Sequence, residues 1–199
     1  MSRITGPKCK LCRLEGVKLY LRGERCYSEK CAMNRKPYPP GRTATFSSRR
    51  SIYGIGLREK QKVKRVYGLN ETQLKNIYVK ASGHKGDKGL RLLQYLEMRL
   101  DNVVFMLGLA PSRATARQFV NHGKVTVNGK KIDISSYLTS VGDVIKVSDS
   151  SLQLVKASGM KVPGWLKTDS RGGKVLTEPS RDMIDEGIRE NLIIEFYSR

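Results

Sequence analysis

Residues 99–129, RLDNVVFMLGLAPSRATARQFVNHGKVTVNG, decide the fold of this chain. They predict two short helices that meet at a tight turn, followed at once by a β-hairpin. The Asn-Gly pair at 128–129 favours a type I′ turn in that hairpin. Ser112 stands where it can cap the second helix, and Gly123 stands where that helix should end. With a third strand predicted at 144–147, the expected structure is a helix–turn–helix packed on a small antiparallel sheet.

The segments around this module also carry structural signals. An amphipathic helix is predicted from about Leu90 to Leu107, because apolar residues recur on one face at helical spacing. The second strand of the hairpin is predicted over 130–134, and residues 170–180 look like a loop. The apolar residues 192–197 are expected to dock back onto an earlier domain.

Two helices are predicted earlier in the chain. One runs from Ser51 to about Gly68, with apolar residues on one side and basic residues on the rest. Asn70, followed three residues later by Gln73, resembles a capping box that begins the next helix, and Gly83 should end it. This part of the chain is therefore expected to be helical.

The charge of the chain points to a polyanion as its partner. The sequence contains 38 Lys and Arg against 18 Asp and Glu, a formal net charge of +20. Such an excess costs stability through self-repulsion, so nucleic acid is the expected partner; a merely soluble basic protein is the alternative. Residues 1–50 contain 13 basic and 3 acidic residues, whereas residues 151–199 contain 8 and 7. The electrostatic attraction should therefore come mainly from the amino-terminal half.

Basic residues suited to phosphate contacts occur in several places. One group lies on the polar, basic side of the module's second helix. The other basic residues flank the cysteines or lie in a proline-rich linker at 32–50 and in the helix that follows it. For each of them, an ordinary solvated surface is the alternative. The candidate nucleic-acid-binding residues are Arg113, Arg117, Asn121 and Lys124 in the module, and Lys8, Lys10, Arg13, Arg22, Arg25, Lys30, Arg35, Lys36, Arg42, Arg49, Arg50, Arg58, Lys62 and Arg65 before it.

All four cysteines lie near the amino terminus, at Cys9, Cys12, Cys26 and Cys31. The spacing, C-x2-C and then C-x4-C, fits a structural zinc knuckle with four thiolate ligands and no open position for catalysis. An iron–sulfur cluster, a redox pair and four unligated thiols are the alternatives. The alternating apolar residues at 17–21 are expected to form a short strand between the two pairs.

The sequence lacks the motifs that are typical of several other classes of protein. Neither His84 nor His122 is followed two residues later by a glutamate, as zinc deaminases require. No nucleophile elbow, P-loop or dinucleotide fingerprint is present. No apolar run is long enough for a signal peptide or a transmembrane helix, so a reduced cytoplasmic protein is expected. An RNA-modifying or zinc-dependent enzyme and a DNA-binding regulator stay as alternatives.

These motifs together resemble a known family. The resemblance is carried by the four cysteines with GVKLYLRGERC, by KPYPPG at 36–41, by LREKQK at 57–62 and YG at 67–68, by LDNVVF, LGLAPSR, ARQFVNHG and VNG in the module, and by the terminal IEFYSR. The chain is identified as a member of the family of bacterial small-subunit ribosomal protein four, in its zinc-bearing, four-cysteine form. The module alone would be less specific, since it also occurs in pseudouridine synthases, a tyrosine-specific tRNA synthetase and small stress proteins.

The resemblance implies an α+β fold, in which an α/β RNA-binding domain is inserted into a mostly helical domain. The expected segments are a zinc knuckle and basic linker at 1–45, a helical domain at 46–89 completed by 185–199, and the RNA-binding domain at 90–184 with its core module at 98–160.

The resemblance also implies a function without catalysis. The expected role is primary binding of small-subunit ribosomal RNA at a helix junction early in assembly. Small-subunit protein five, other small-subunit proteins and messenger RNA near its entry path are the expected partners, with an effect on decoding accuracy and no contact with membranes. One structural Zn²⁺ is the expected cofactor. Met106 and Lys124 stand where the family commonly has arginine and histidine, and the former is expected to remove one phosphate contact.

Overall fold

The computed structural model describes residues 6–41, 51–148, 162–169, 171–184 and 187–198. In chain order its elements are α1 (Lys8–Glu15), a 3-10 helix (Gly23–Cys26), α2 (Ala32–Arg35), α3 (Ile52–Val66), α4 (Glu71–Ser82), α5 (Lys88–Glu97), α6 (Leu100–Met106), α7 (Arg113–Asn121), β1 (Val125–Val127), β2 (Lys130–Lys131), β3 (Val144–Val147), β4 (Leu166–Asp169), β5 (Gly172–Val175), a second 3-10 helix (Arg181–Met183) and α8 (Glu190–Ser198).

The chain divides into two compact units. The first unit comprises the described residues up to Gly89 and those from Gly187 onward, and the second comprises the described residues between them. The predicted α+β class, with a helix–turn–helix on a small antiparallel sheet, is confirmed. In the described part of the chain, no helix is long and apolar enough to cross a membrane.

The first unit is helical, and its helices begin where the sequence predicts. The Ser51 side chain accepts a hydrogen bond from the Gly54 backbone N–H and caps α3. Asn70 and Gln73 form the predicted capping box at the start of α4. The carboxy-terminal helix α8 packs along α3, so the predicted docking of the apolar terminal segment is confirmed within this unit. Gly56 permits the close approach, because a Cβ there would lie 3.4 Å from the Leu192 carbonyl oxygen.

The second unit has a five-stranded antiparallel sheet in the order β2-β1-β3-β5-β4. Asn128 and Gly129 join β1 to β2 with φ angles of 51° and 79°, as a type I′ turn requires. One side of the sheet packs against α6 and α7, because alternate strand residues face the same side. The core is formed by Leu100, Val103, Val104, Phe105, Leu107, Leu109, Ala110, Ala116, Phe119, Val120, Val125, Val127, Ile145, Val147, Trp165, Leu166 and Val175.

The predicted single helix from Leu90 to Leu107 is wrong. The helix is interrupted between α5 and α6, where Arg99 adopts an extended conformation. The break is held by residues about forty positions away: the Leu100 N–H donates to the Tyr137 carbonyl at 2.8 Å, and the Thr139 N–H donates to the Met98 carbonyl at 2.9 Å. The apolar periodicity continues across the break, because both helices bury the same side in one core. Periodicity alone therefore did not reveal it.

Three predictions of strand and loop are also wrong. The hairpin strand predicted over 130–134 is short, since only its first two residues pair with β1. The loop predicted over 170–180 contains β5, whose Gly172 lies so close to β3 that a Cβ would meet the Ile145 carbonyl oxygen at 2.1 Å. Within the described residues 6–41 no strand forms over 17–21; Leu19 is buried there without a β-partner.

Candidate nucleic-acid interface

The helix pair α6–α7 holds two of the predicted RNA-binding arginines. Arg117 donates from Nε and Nη2 to Oδ2 of Asp101, at 2.9 Å and 2.6 Å. Arg113, one turn earlier on α7, donates from Nε to Oδ1 of Asn102 at 2.7 Å, and its guanidinium lies 4.6 Å from the centre of the Phe105 ring. Both guanidinium groups are thus fixed by consecutive residues at the start of α6.

Asp101 is shared by two arginines. Arg99 donates from Nε to Oδ1 at 3.1 Å and from Nη2 to Oδ2 at 3.0 Å, and both residues are only 3% exposed. A buried carboxylate must be paired to offset the loss of its hydration, and here two guanidinium groups do so. The neighbouring Asn102 donates to the backbone carbonyl and to Oε2 of Glu97, at 2.8 Å and 2.7 Å. The result is a hydrogen-bonded network that joins α5, α6 and α7.

The network identifies two functional residues that the sequence reasoning missed, Asp101 and Asn102. A usable signal was present, since both residues interrupt an otherwise apolar run in LDNVVF. A carboxylate and an amide within a buried helix face indicate buried hydrogen-bond partners.

The other two candidates on this side of the module differ in exposure. Asn121 is exposed at the end of α7. Lys124 is half-buried, and its ammonium group lies 5.9 Å from the centre of the Phe119 ring. That all four of these residues contact RNA stays a prediction.

The segment that contains the cysteines presents most of its basic side chains to solvent. Lys8 is half-buried, and burial, followed by the nearby Arg22, lowers its pKa. Arg13 is partly buried and tied down, because its Nε donates to the Tyr38 carbonyl at 2.9 Å and its guanidinium lies 4.9 Å from the Tyr38 ring centre. The exposed candidates are Lys10, Arg22, Arg25, Lys30, Arg35 and Lys36. Three more, Arg42, Arg49 and Arg50, lie outside the described residues.

The candidates on α3 are engaged inside the protein. Arg58 and Arg65 both reach Glu15 of α1, whose side chain is 3% exposed; the Arg58–Glu15 separation is 3.7 Å, and Arg65 forms a hydrogen bond. Lys62 pairs with Glu59 at 2.7 Å and donates to the Gly187 carbonyl. The ion pair with Glu59 could have been predicted from its i, i+3 spacing. The pairs with Glu15 could not, because they join residues more than forty positions apart.

The four cysteines line one cavity together with basic residues. Cys12, Cys26 and Cys31 are buried, and Cys9 is half-buried. The Arg22 backbone N–H donates to Sγ of Cys26 at 3.4 Å. Burial, with a smaller contribution from the neighbouring thiols, raises the pKa of Cys12 and of Cys26.

This donor set fits a thiophilic metal in number and chemistry, but its geometry is not that of a finished coordination shell. Across the residues that the structure describes, no group of three or more His, Cys, Asp or Glu side chains is arranged so that it could hold a metal ion. A tetrahedral zinc site requires four sulfur atoms at about 2.3 Å from the ion. The sulfurs that line this cavity would therefore have to draw together around it.

Comparison with known proteins gives matches along the whole chain. Residues 3–97 match the family model described as ribosomal protein S4/S9 N-terminal domain, and residues 98–145 match the S4 domain. The chain is 51% identical over 209 residues to small ribosomal subunit protein uS4 of Thermus thermophilus. It is 50% identical over 206 residues to the protein of the same name from Dictyoglomus turgidum. In both cases the alignment covers all of both chains.

Proposed function

Because this chain belongs to the family of small ribosomal subunit protein uS4, we propose that it is a primary binder of small-subunit ribosomal RNA, acting at a helix junction early in assembly. The observation that carries the proposal is the likeness itself, about half of all residues over the full length of both chains. The relatives are named as proteins of the small ribosomal subunit, so we expect this chain to act on the ribosome, in the cytoplasm, as a structural protein. We accordingly assign no catalytic activity to this chain.

The proposed mechanism is electrostatic attraction followed by placed contacts. The lysines and arginines of the cysteine segment that are exposed supply attraction for phosphates. The arginines of α7 supply contacts of fixed geometry, since Asp101 and Asn102 hold them before any RNA binds. Recognition would then depend on RNA shape more than on base sequence.

Binding to ribosomal RNA is tested with the full chain. We expect it to co-sediment with small ribosomal subunits after a high-salt wash, and to bind small-subunit ribosomal RNA more tightly than duplex DNA at the same salt concentration. Release at high salt together with equal or tighter binding to duplex DNA would favour a DNA-binding regulator and overturn the proposal. Turnover of an RNA substrate would overturn it in favour of a modifying enzyme.

We further propose that the four cysteines hold one structural Zn²⁺. Support comes from their spacing and from their convergence on one cavity, where three of the four are buried. A zinc ion would stabilise a segment that is too small to form a core of its own. Elemental analysis of the purified chain should give one zinc per chain, and Cys26→Ser should lower that value. Iron with visible absorbance would indicate an iron–sulfur cluster, and no metal would leave four free thiols.

The finer partners are proposed on the family resemblance. We expect contact with small-subunit protein five and with messenger RNA near its entry path, and through these an effect on decoding accuracy. Chemical cross-linking in purified small subunits would test both contacts. The absence of cross-links to either partner, in subunits where this chain cross-links to ribosomal RNA, would contradict this part of the proposal.

A further inference from the structure

Three lysines on the neighbouring strands β3, β5 and β4 lie on the side of the sheet opposite α6 and α7. Along each strand, residues alternate between the two sides of the sheet, and Ile145, Leu166 and Val175 face the core. Lys146, Lys167 and Lys174 therefore face away from the core, and all three are exposed. We call these three residues the lysine triad.

The register brings the lysine triad together on three consecutive strands. Lys174 of β5 lies directly opposite Lys167 of β4, and Lys146 of β3 lies opposite Gly172, two residues from Lys174. Directly opposite residues on antiparallel strands have Cβ atoms about 4.5–5.5 Å apart, and diagonal neighbours are about 7–8 Å apart. Three positive charges thus occupy one small area of the surface.

This arrangement costs stability in the free protein. Like charges placed directly opposite on neighbouring strands are destabilising. Lysine on an edge strand such as β4 can be explained as protection against edge-to-edge pairing, but β3 and β5 are interior strands. A function for the charge on Lys146 and Lys174 is therefore the better explanation.

The positive charge of the lysine triad is only weakly neutralised by acidic residues of the second unit. No ion pair of the lysine triad occurs among the described residues. Asp169, at the end of β4 and opposite Gly172, is the one acidic strand residue on this side in the described part of the chain, so three lysines face one carboxylate there. An external anion would remove the repulsion between Lys167 and Lys174.

The composition of the surface favours phosphate over bases. The outward residues next to the triad on β1 and β3 are Thr126 and Val144, and the described strand residues on this side include no aromatic ring on which a base could stack. Lysine contributes a point charge suited to phosphate oxygens. A basic, non-aromatic surface of this kind matches the backbone of a folded RNA.

We propose that the lysine triad is an additional binding site for the phosphate backbone of ribosomal RNA, on the opposite side of the sheet from α7. This inference rests on the proposed function and extends it to residues that no motif in the sequence had indicated. It gives the second unit two RNA-facing sides, one on α7 and one on the sheet.

The test compares two double substitutions in the full chain. Lys167→Gln with Lys174→Gln removes the opposed pair, and Lys75→Gln with Lys80→Gln removes the same charge from exposed positions of α4. Counterion release contributes about 0.7–0.9 to the slope of log affinity against log salt for each phosphate contact. We expect the first variant to lose on the order of tenfold in affinity for small-subunit ribosomal RNA in about 0.1 M salt, with a slope shallower by roughly 1 to 2. The α4 control should bind as the wild type does.

The outcomes separate this inference from the proposed function. If the wild-type chain does not bind ribosomal RNA, the proposed function fails. If the wild type binds and the Lys167→Gln, Lys174→Gln variant keeps both the affinity for ribosomal RNA and the salt slope, the lysine triad is not an RNA site. An equal loss in the α4 control would assign the effect to net charge and also overturn the inference. Unchanged RNA binding with loss of a protein from salt-washed subunits would identify an acidic protein as the occupant instead. Thermal unfolding should show that both variants are folded.

Discussion

The arginines of α7 and those of the cysteine segment have the same charge but different surroundings. The Arg117 side chain is 14% exposed and is bound to a buried carboxylate, whereas Arg22 and Arg25 are exposed. Formal net charge counts these residues equally. The structure separates cations that also hold the protein together from cations that are exposed to a partner and have no such structural role. Substitutions of the α7 arginines should therefore lower mainly the stability of the protein, and substitutions in the cysteine segment should lower mainly its affinity for RNA.

The largest effect is expected from removing Asp101. In Asp101→Ala the Arg99 guanidinium stays buried without its carboxylate, and breaking a buried pair in this way costs about 3–5 kcal/mol. Trp165 is the single tryptophan and is fully buried in the second unit, so its fluorescence during urea unfolding reports on that unit. Asp133→Ala, at an exposed position of the same unit, is the control and should change the unfolding free energy by less than about 0.5 kcal/mol. Equal effects of the two substitutions would contradict a structural role for Asp101.

Arg117→Ala should have the second largest effect. It removes two charge-assisted hydrogen bonds to Asp101 but leaves Arg99 paired, so a loss of about 1.5–3 kcal/mol is expected in the same fluorescence experiment. Combined with Arg113→Ala, it should also weaken RNA binding and flatten the salt dependence at temperatures where the variant is folded. An unchanged salt slope in the folded double variant would show that these arginines serve the fold alone.

The contrast between the two regions also explains what the sequence could and could not reveal. The capping box at Asn70 and the turn at 128–129 were predictable, because each depends on residues within four positions of one another. The break at Arg99 depends on partners near residue 138, and no local pattern encodes it. The composition around Gly172 predicts a loop, because glycine serves both turns and places where two strands approach closely.

The same distinction applies to the candidate site. Basic composition makes Arg58, Arg65 and Arg117 candidates for binding RNA, but a sequence does not show which carboxylate a cation will pair with after folding. Glu15 and Asp101 are those carboxylates, and both become buried. The candidate cations of the cysteine segment lie in a short segment with few acidic residues, and most of them are exposed, as that composition predicts.

Substitution of exposed arginines should affect RNA binding more than stability, which is the reverse of the result expected for Arg117. Arg22→Gln with Arg25→Gln is expected to leave the unfolding free energy within about 0.5 kcal/mol of the wild type, because surface substitutions rarely exceed that value. The salt dependence of RNA binding should become shallower by roughly 1 to 2, since each lost phosphate contact removes about 0.7–0.9. The measurement pairs urea unfolding with binding titrations at several salt concentrations. A fall in stability without a change in slope would remove the distinction between the two regions.

The smallest effect is expected at Glu71. Its surroundings are intermediate between the buried network at Asp101 and the exposed arginines of the cysteine segment. Burial alone would raise the pKa of Glu71, but hydrogen bonds from Lys60, Lys64 and Tyr197 outweigh it and lower the pKa to about 2 from the ordinary 4.5. The folded state thus favours the carboxylate, so its contribution to stability is present above pH 4.5 and is lost as the pH falls towards 2. Since the Glu71 side chain is 46% exposed, solvent screening limits that contribution to about 1 kcal/mol or less.

Glu71→Gln tests this contribution. The variant should be less stable than the wild type at about pH 7, and the difference should shrink at about pH 2.5, because the wild-type carboxylate is then partly protonated. Unfolding followed by far-ultraviolet circular dichroism reports on the helices of the first unit. Glu29→Gln, at an exposed position of the same unit, is the matched control and should show no such pH-dependent difference. A Glu71→Gln difference that stays constant between the two pH values would mean that Lys60 is anchored by packing against the aromatic rings of α8 rather than by the carboxylate.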